Sequence, residues 1–209
     1  MTFLTEHEAN VLLTACDRTT WTGRRDHAML ALAIQTGLRI SELTALTISD
    51  LTLGTGAHVH TIGKGRKERR TPLLALTVSI VKAWLAECAG VAAQPLFPTI
   101  TGKALSRDAV EHRIAFYVTT ARRSCPSLRT KKITVHTLRH TSAMRLLLSG
   151  VDVTVIALWL GHEQVSTTNI YLHADMTQKE RAIARVTPKV TKPGRYLAPD
   201  SVMAFLDTL

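Results

Sequence analysis

Cysteine, aromatic side chains and acidic side chains are all scarce in this 209-residue chain. The three cysteines, Cys16, Cys88 and Cys125, are odd in number and far apart, so neither a disulfide framework nor a thiolate zinc site is expected. No apolar run approaches the roughly 18 to 20 residues that a membrane span requires, and Met1-Thr2-Phe3-Leu4-Thr5-Glu6 lacks the basic-then-apolar layout of a secretory signal. The expectation is a cytoplasmic protein with no membrane partner. No Gly-x-x-x-x-Gly-Lys-Ser/Thr loop is present to cradle nucleotide phosphates, and no repeat recurs at a solenoid period.

Apolar residues make up 45% of the chain and charged residues 20%, enough to bury a core in one compact domain or two small lobes. Lysine and arginine number 26 against 16 acids, a formal charge of +10. Residues 1–104 hold 11 basic and 8 acidic side chains (+3) and residues 105–209 hold 15 and 8 (+7). A polyanion is the partner such a surface attracts, through counterion release that is blind to sequence.

The periodicity predicts a mostly helical protein with one small sheet. Thr5 and Glu8 form a capping box ahead of Val11, Leu12 and Ala15, giving a helix to about Thr19. Thr22 is the expected cap of a second helix, ending at Gly37, a residue suited to the left-handed conformation. Ile40 to Leu46 reads as a short helix. Leu51–Leu53, Val59–Ile62 and Arg69–Leu73 read as three short antiparallel strands separated by glycine-rich turns. Helices are expected around Val78–Leu85, from a Ser106 cap to about Thr120, from Thr137 to Ser149, from an Asp152 cap to Leu160, and from Thr177 to Val186. Arg122 to Lys132, basic and holding Pro126, reads as a surface loop. Pro188, Pro193 and Pro199 break a basic linker before a last amphipathic piece, Val202 to Leu209.

Five places carry residues with chemical potential. Arg39 follows the Gly37 turn at a helix start, where free backbone N–H groups can join a guanidinium on a phosphate oxygen; a solvated cap or a partner for Glu42 is the plainer use. Gly63-Lys64-Gly65-Arg66-Lys67-Glu68-Arg69-Arg70 sets five cations on a hairpin turn, fit to present a lysine to DNA or to guard an edge strand. His136 and Arg139 lie three apart on a helix and point the same way. His136 and His140 have a metal-ligand spacing with His162 as a third donor, but no acid lies between them and the surrounding cations would repel a dication; helix packing is the alternative for His140. Tyr171, alone, reads as a packing residue with a wet hydroxyl, and His58, His60 and His173 as surface imidazoles.

The ordered set Arg39, Lys64, His136, Arg139, His162 and Tyr171, with spacings of 3, 23 and 9 over its last four members, resembles the catalytic domain of the tyrosine recombinases, the phage-integrase and Xer-like family. Thr-Gly-Leu-Arg-Ile-Ser-Glu-Leu, Gly-Lys-Gly-Arg-Lys-Glu-Arg, His-Thr-Leu-Arg-His-Thr and Leu-Gly-His appear in the family's order, and the likeness runs from about Leu4 to Arg185. It implies that family's α+β fold, mostly α with a small three-stranded antiparallel sheet. It implies a site-specific recombinase or integrase of a mobile genetic element, cutting and rejoining DNA through a 3′-phosphotyrosine. Tyr171 would be the nucleophile; Arg39, Arg139 and His162 would hold the non-bridging oxygens; Lys64 would protonate the leaving 5′-oxygen, and His136 would assist. Glu42 and His140 would support them. Arg66, Lys67, Arg69, Arg70, Arg122, Arg123, Arg129, Lys131 and Lys132 would face the DNA backbone. No metal or other cofactor is called for. Alternatives of another kind are an inactive accessory DNA-binding protein and a metal-dependent nuclease. The expected layout is a catalytic domain over 1–187, a linker and C-terminal segment over 188–209 that packs on a neighbouring protomer, and no N-terminal core-binding domain. The expected partners are double-stranded DNA and further copies of the chain in a tetrameric synapse.

Overall fold

A computed structural model describes residues 2–63, 68–88 and 93–161. Seven helices and three strands are found among them: α1 (Glu6–Thr14), α2 (Trp21–Thr36), α3 (Ile40–Ala45), β1 (Leu51–Thr52), β2 (His58–Ile62), β3 (Glu68–Pro72), α4 (Ala75–Leu85), α5 (Arg107–Ser124), α6 (Val135–Leu148) and α7 (Val153–Leu160). The sheet is antiparallel in the order β1-β2-β3, with Val59 opposite Leu51 on one side and Thr71 on the other. This is the mostly helical α+β fold that the periodicity predicts. No helix among the described residues is long and apolar enough to cross a membrane.

Helix α2 is the centre of the packing. Every residue from Ala28 to Ile34 is buried, so the helix is apolar all round over that stretch, as a helix enclosed by others must be. It packs against α1, α4 and α6. Trp84 of α4 seats its ring edge-on against Trp21 and donates its indole N–H to Leu96 O at 2.8 Å, so the largest buried side chain leaves no polar atom unmet.

Local chemistry fixed the helix ends, and several expected ends moved. Helix α1 stops at Thr14, not near Thr19, because Asp17 takes the Thr19 N–H and hydroxyl into a turn of its own. The cap of α2 is Thr20, whose hydroxyl accepts from Gly23 N; Thr22 falls inside the first turn. Gly37 does take the left-handed conformation (φ 66°). The stretch from Arg122 to Lys132 is not a loop: α5 continues to Ser124, Pro126 opens a 3-10 turn over Pro126–Thr130, and Leu128 is wholly buried. Composition hid this, because one leucine among cations and a proline gives no period to read. The helix expected over Thr177–Val186 and the segment Val202–Leu209 lie outside the described residues.

Candidate active site

The site is built where α2 ends, α3 begins and α6 and α7 converge. A methyl group on Gly37 would stand 2.7 Å from Leu160 Cδ2 and 3.0 Å from Ser142 Cβ, so glycine is required both for its dihedral and for this close approach. Arg139, nearly buried, reaches into the junction from α6. Its Nη1 donates to Gly37 O (2.6 Å) and its Nη2 to Leu160 O (2.7 Å). One guanidinium thus serves carbonyls at the C-terminal ends of two helices, where the peptide dipoles favour a cation.

Arg39 is held by a second set of anchors. Its backbone N–H donates to Glu42 Oε2 (2.8 Å), its Nη1 to Glu42 Oε1 (3.0 Å) and its Nη2 to Gly161 O (2.8 Å). Glu42 is buried in turn against Arg69 of β3, whose Nη1 and Nη2 donate to the two carboxylate oxygens at 2.8 and 2.7 Å. Burial alone would raise the Glu42 carboxyl pKa; the Arg69 fork, the Arg39 N–H and the charges of both guanidiniums outweigh it and hold the pKa at about 2. Gly161, left-handed at φ 65°, closes α7 and receives the flat of the Arg69 guanidinium, so that a Cβ there would lie 3.0 Å from Nη1.

Arg39, Arg139 and His136 line one cavity of about 460 Å³, with Ser41, Arg107 and Glu111 at its walls. A second cavity of about 390 Å³ adjoins Arg39 on the sheet side and is lined by Ser41, Glu42, Asp50, His60 and Gly63. A larger hollow of about 890 Å³ lies between the α1–α2 turn and α4; none of the residues singled out from the motifs lines it. His136 is exposed and stands edge-on to the His140 ring, centroids 4.2 Å apart. Burial first, then the neighbouring His136 and Arg139, push the His140 pKa down to about 4, so this ring is neutral at physiological pH.

The fold therefore brings Arg39, Glu42, His136, Arg139 and His140 together. Lys64, Arg66, Lys67, His162 and Tyr171 lie outside the described residues. The nine cations assigned to the DNA backbone divide differently from expectation. Arg70, Arg123, Arg129 and Lys132 are exposed. Arg69 is committed to Glu42, as described. Arg122 donates to Leu128 O and Lys131 O, and Lys131 donates to Phe3 O and Glu8 Oε2. Those three cations satisfy acceptors of the chain itself; a partner remote in sequence leaves no mark in local composition. Arg107 and Glu111 were missed as cavity residues. Their only signal is their place in the first turns of α5, which says nothing about what that turn faces.

Comparison with known proteins agrees with this geometry. The fold is that of tyrosine-recombinase catalytic domains: a crystal structure of XerA recombinase matches with a TM-score of 0.74 at 26% identity, over 90% of this chain and 64% of XerA. The XerH site-specific recombinase, crystallised on its palindromic difH substrate as a post-cleavage complex, matches at 0.73 and 28% over 88% of this chain and 52% of its own. The phage integrase family model matches residues 2–178, and the chain belongs to that family, the tyrosine recombinases. A Sinorhizobium fredii protein named as an integrase/recombinase (y4rC) is 50% identical over 207 residues, 99% of this chain and 62% of its own length. The tyrosine recombinase XerD of Yersinia pestis is 39% identical over 71% of this chain and 50% of its length. The chain thus spans between half and five-eighths of the length of these curated relatives.

Proposed function

We propose that this chain is the catalytic part of a site-specific recombinase that cuts and rejoins double-stranded DNA through a 3′-phosphotyrosine. The observation that carries the reading is the convergence of Arg39, Arg139 and His136, remote in sequence, on one cavity. Two guanidiniums cannot lose their charge near neutral pH, and their forks match phosphate oxygens as charge grows in the transition state. Their anchors keep them oriented before substrate arrives, so little reorganisation is left for the reaction.

In this reading the Tyr171 phenolic oxygen attacks phosphorus. A bond forms from that oxygen to phosphorus, the bond from phosphorus to the 5′-oxygen breaks, and Lys64 supplies the proton the departing oxygen needs. A phenol of pKa near 10 requires a cationic surround or a base to shed its own proton; the arginines provide the first, and His136 is the side chain at the cavity edge that can provide the second. Attack by a 5′-hydroxyl of another strand reverses the step, and because the phosphotyrosine conserves the phosphodiester, no nucleotide fuel is consumed. XerH in its difH complexes is a structural relative in which DNA is bound; here the exposed Arg70, Arg123, Arg129 and Lys132 are the side chains offered to the backbone, where contacts position without reading sequence. Residues 1–187 form the catalytic domain, residues 188–209 the linker and tail, and four copies on two sites form the synapse.

A duplex nicked beside the cleavage point tests this directly, because the short 5′ fragment diffuses away and traps the covalent complex. Wild-type protein is expected to give an adduct that persists in EDTA and maps to residue 171. Tyr171→Phe is expected to give none, and Arg139→Ala to lower adduct formation by about a hundredfold or more. An adduct that survives Tyr171→Phe, or activity that EDTA abolishes, defeats the proposal.

A further inference from the structure

The arginine expected to touch DNA from the hairpin is turned the other way. Arg69 leaves β3 with a side chain only 11% exposed, gives both terminal nitrogens to Glu42, and lies flat on Gly161. Those two groups are the anchors of Arg39: the Glu42 carboxylate takes its backbone N–H and Nη1, and the Gly161 carbonyl takes its Nη2. The Nε of Arg69 is buried with no partner among the described residues. A cation kept inside with one donor unmet is in a position that burial alone does not favour.

We propose that Arg69 is a positioning residue for the strand-transfer reaction, acting through Glu42 and Gly161 to hold the Arg39 guanidinium at the phosphate cavity and to tie the β2–β3 hairpin to the end of α7. The proposal rests on the recombinase reading above. It adds to that reading a residue that touches neither substrate nor the reacting atoms, and it removes Arg69 from the DNA-contacting set.

The physical basis is that Glu42 is a buried carboxylate between two cations. With Arg69 present it stays ionised and fixes Arg39. Without Arg69, burial acts on Glu42 against Arg39 alone, and protonation on acidification releases that arginine. The other titratable and charged groups at these walls are Asp50 and His60 on the sheet side and Arg107, Glu111, His136 and Arg139 on the other. All are common to wild type and variant, so the ratio of their rates isolates the Glu42 contribution.

The test measures single-turnover adduct formation on the nicked duplex from pH 5.5 to 8.5, and equilibrium DNA binding against salt, for wild type, Arg69→Met, Arg69→Lys and Glu42→Gln. Arg69→Met is expected to be slower by about ten- to a hundredfold. Its ratio to wild type should fall further with acidity, its binding should keep the wild-type salt slope, and Arg69→Lys should recover most of the rate. Glu42→Gln, which cannot titrate, should lose rate by a factor independent of pH. The proposal is overturned if Arg69→Met cleaves like wild type, if its loss is the same at every pH, or if its loss is matched by weaker binding with a salt slope reduced by about one, the mark of a lost phosphate contact. Should Arg69→Met fail to fold, Arg69→Gln, which also removes the cation, carries the same comparison. An absence of adduct from wild type would instead defeat the recombinase reading. Titration of 13C-labelled glutamate without DNA still decides the local claim: the Glu42 midpoint must rise in Arg69→Met, and an unmoved midpoint refutes the coupling.

Discussion

Glu8 shows at the residue scale how a single carboxylate is shared between local and distant structure. Its Oε2 closes the capping box of α1 by accepting from Thr5 N and also accepts from Lys131 Nζ at 2.6 Å, while its Oε1 accepts from Ser127 Oγ at 2.6 Å, both donors coming from across the chain. Burial would raise its pKa, but the Lys131, Ser127 and Thr5 bonds prevail and set it at about 2. The folded-state pKa therefore lies below the ordinary value of 4.5, and the contribution to stability is complete above that value, declines as pH falls and is gone below about 2. Glu8→Gln is expected to cost about 1–2 kcal/mol at pH 7. Urea unfolding should show the gap between variant and wild type closing as pH is lowered from 5 towards 2; a gap constant over that range would mean that the carboxylate charge contributes nothing. Glu8 was legible as a cap. Its hold on Lys131 was not, because the two are joined only when α1 packs against α5 and the turn that follows it.

Among the elements, α2 and α5 are joined by a buried polar cluster that periodicity passes over. Asp26, fully buried on α2, accepts from Arg25, from Arg113 and from the Tyr117 hydroxyl, the latter two on α5. Burial, then the Asp26 charge and hydrogen bond, push the Tyr117 phenol well above its usual range, so it stays protonated and donates. Asp26→Asn leaves two guanidiniums against a neutral amide and is expected to destabilise by about 3–5 kcal/mol. A melting temperature within about 2 °C of wild type would show that the cluster is not a structural tie. The helix ends tell the same story in reverse. Thr5, Ser106 and Asp152 were readable as caps because a cap joins residues two or three apart. The cap of α2 was expected at Thr22, but the turn built by Asp17 places the Thr20 hydroxyl on Gly23 N instead.

The whole molecule is proposed to work only as several copies on DNA, and that scale carries its own prediction. Removing residues 198–209, which hold the amphipathic Val202, Met203, Phe205 and Leu206, is expected to leave single-site binding within about twofold and to abolish cooperative assembly on a two-site duplex, as read by band shift and light scattering. Unchanged cooperativity would discard the trans-packing role of the tail. The exposed cations also predict binding that weakens linearly in log–log form as salt rises, with a slope that counts phosphates neutralised.

The sequence by itself determined what depends on neighbours along the chain: the caps at Thr5, Ser106 and Asp152, the left-handed glycine at 37, the three strands, the mostly helical class and the ordered motif that marks the family. Only the tertiary structure decided which cations are committed to acceptors of the chain itself. Arg69, Arg122 and Lys131 look alike in a basic stretch, yet one clamps Glu42, one holds the turn around Leu128 and one anchors the N-terminal segment. The reason is range: a cap or a turn is settled by hydrogen bonds a few residues away, whereas the partner of a buried charge is whichever acceptor the completed fold leaves out of reach of water.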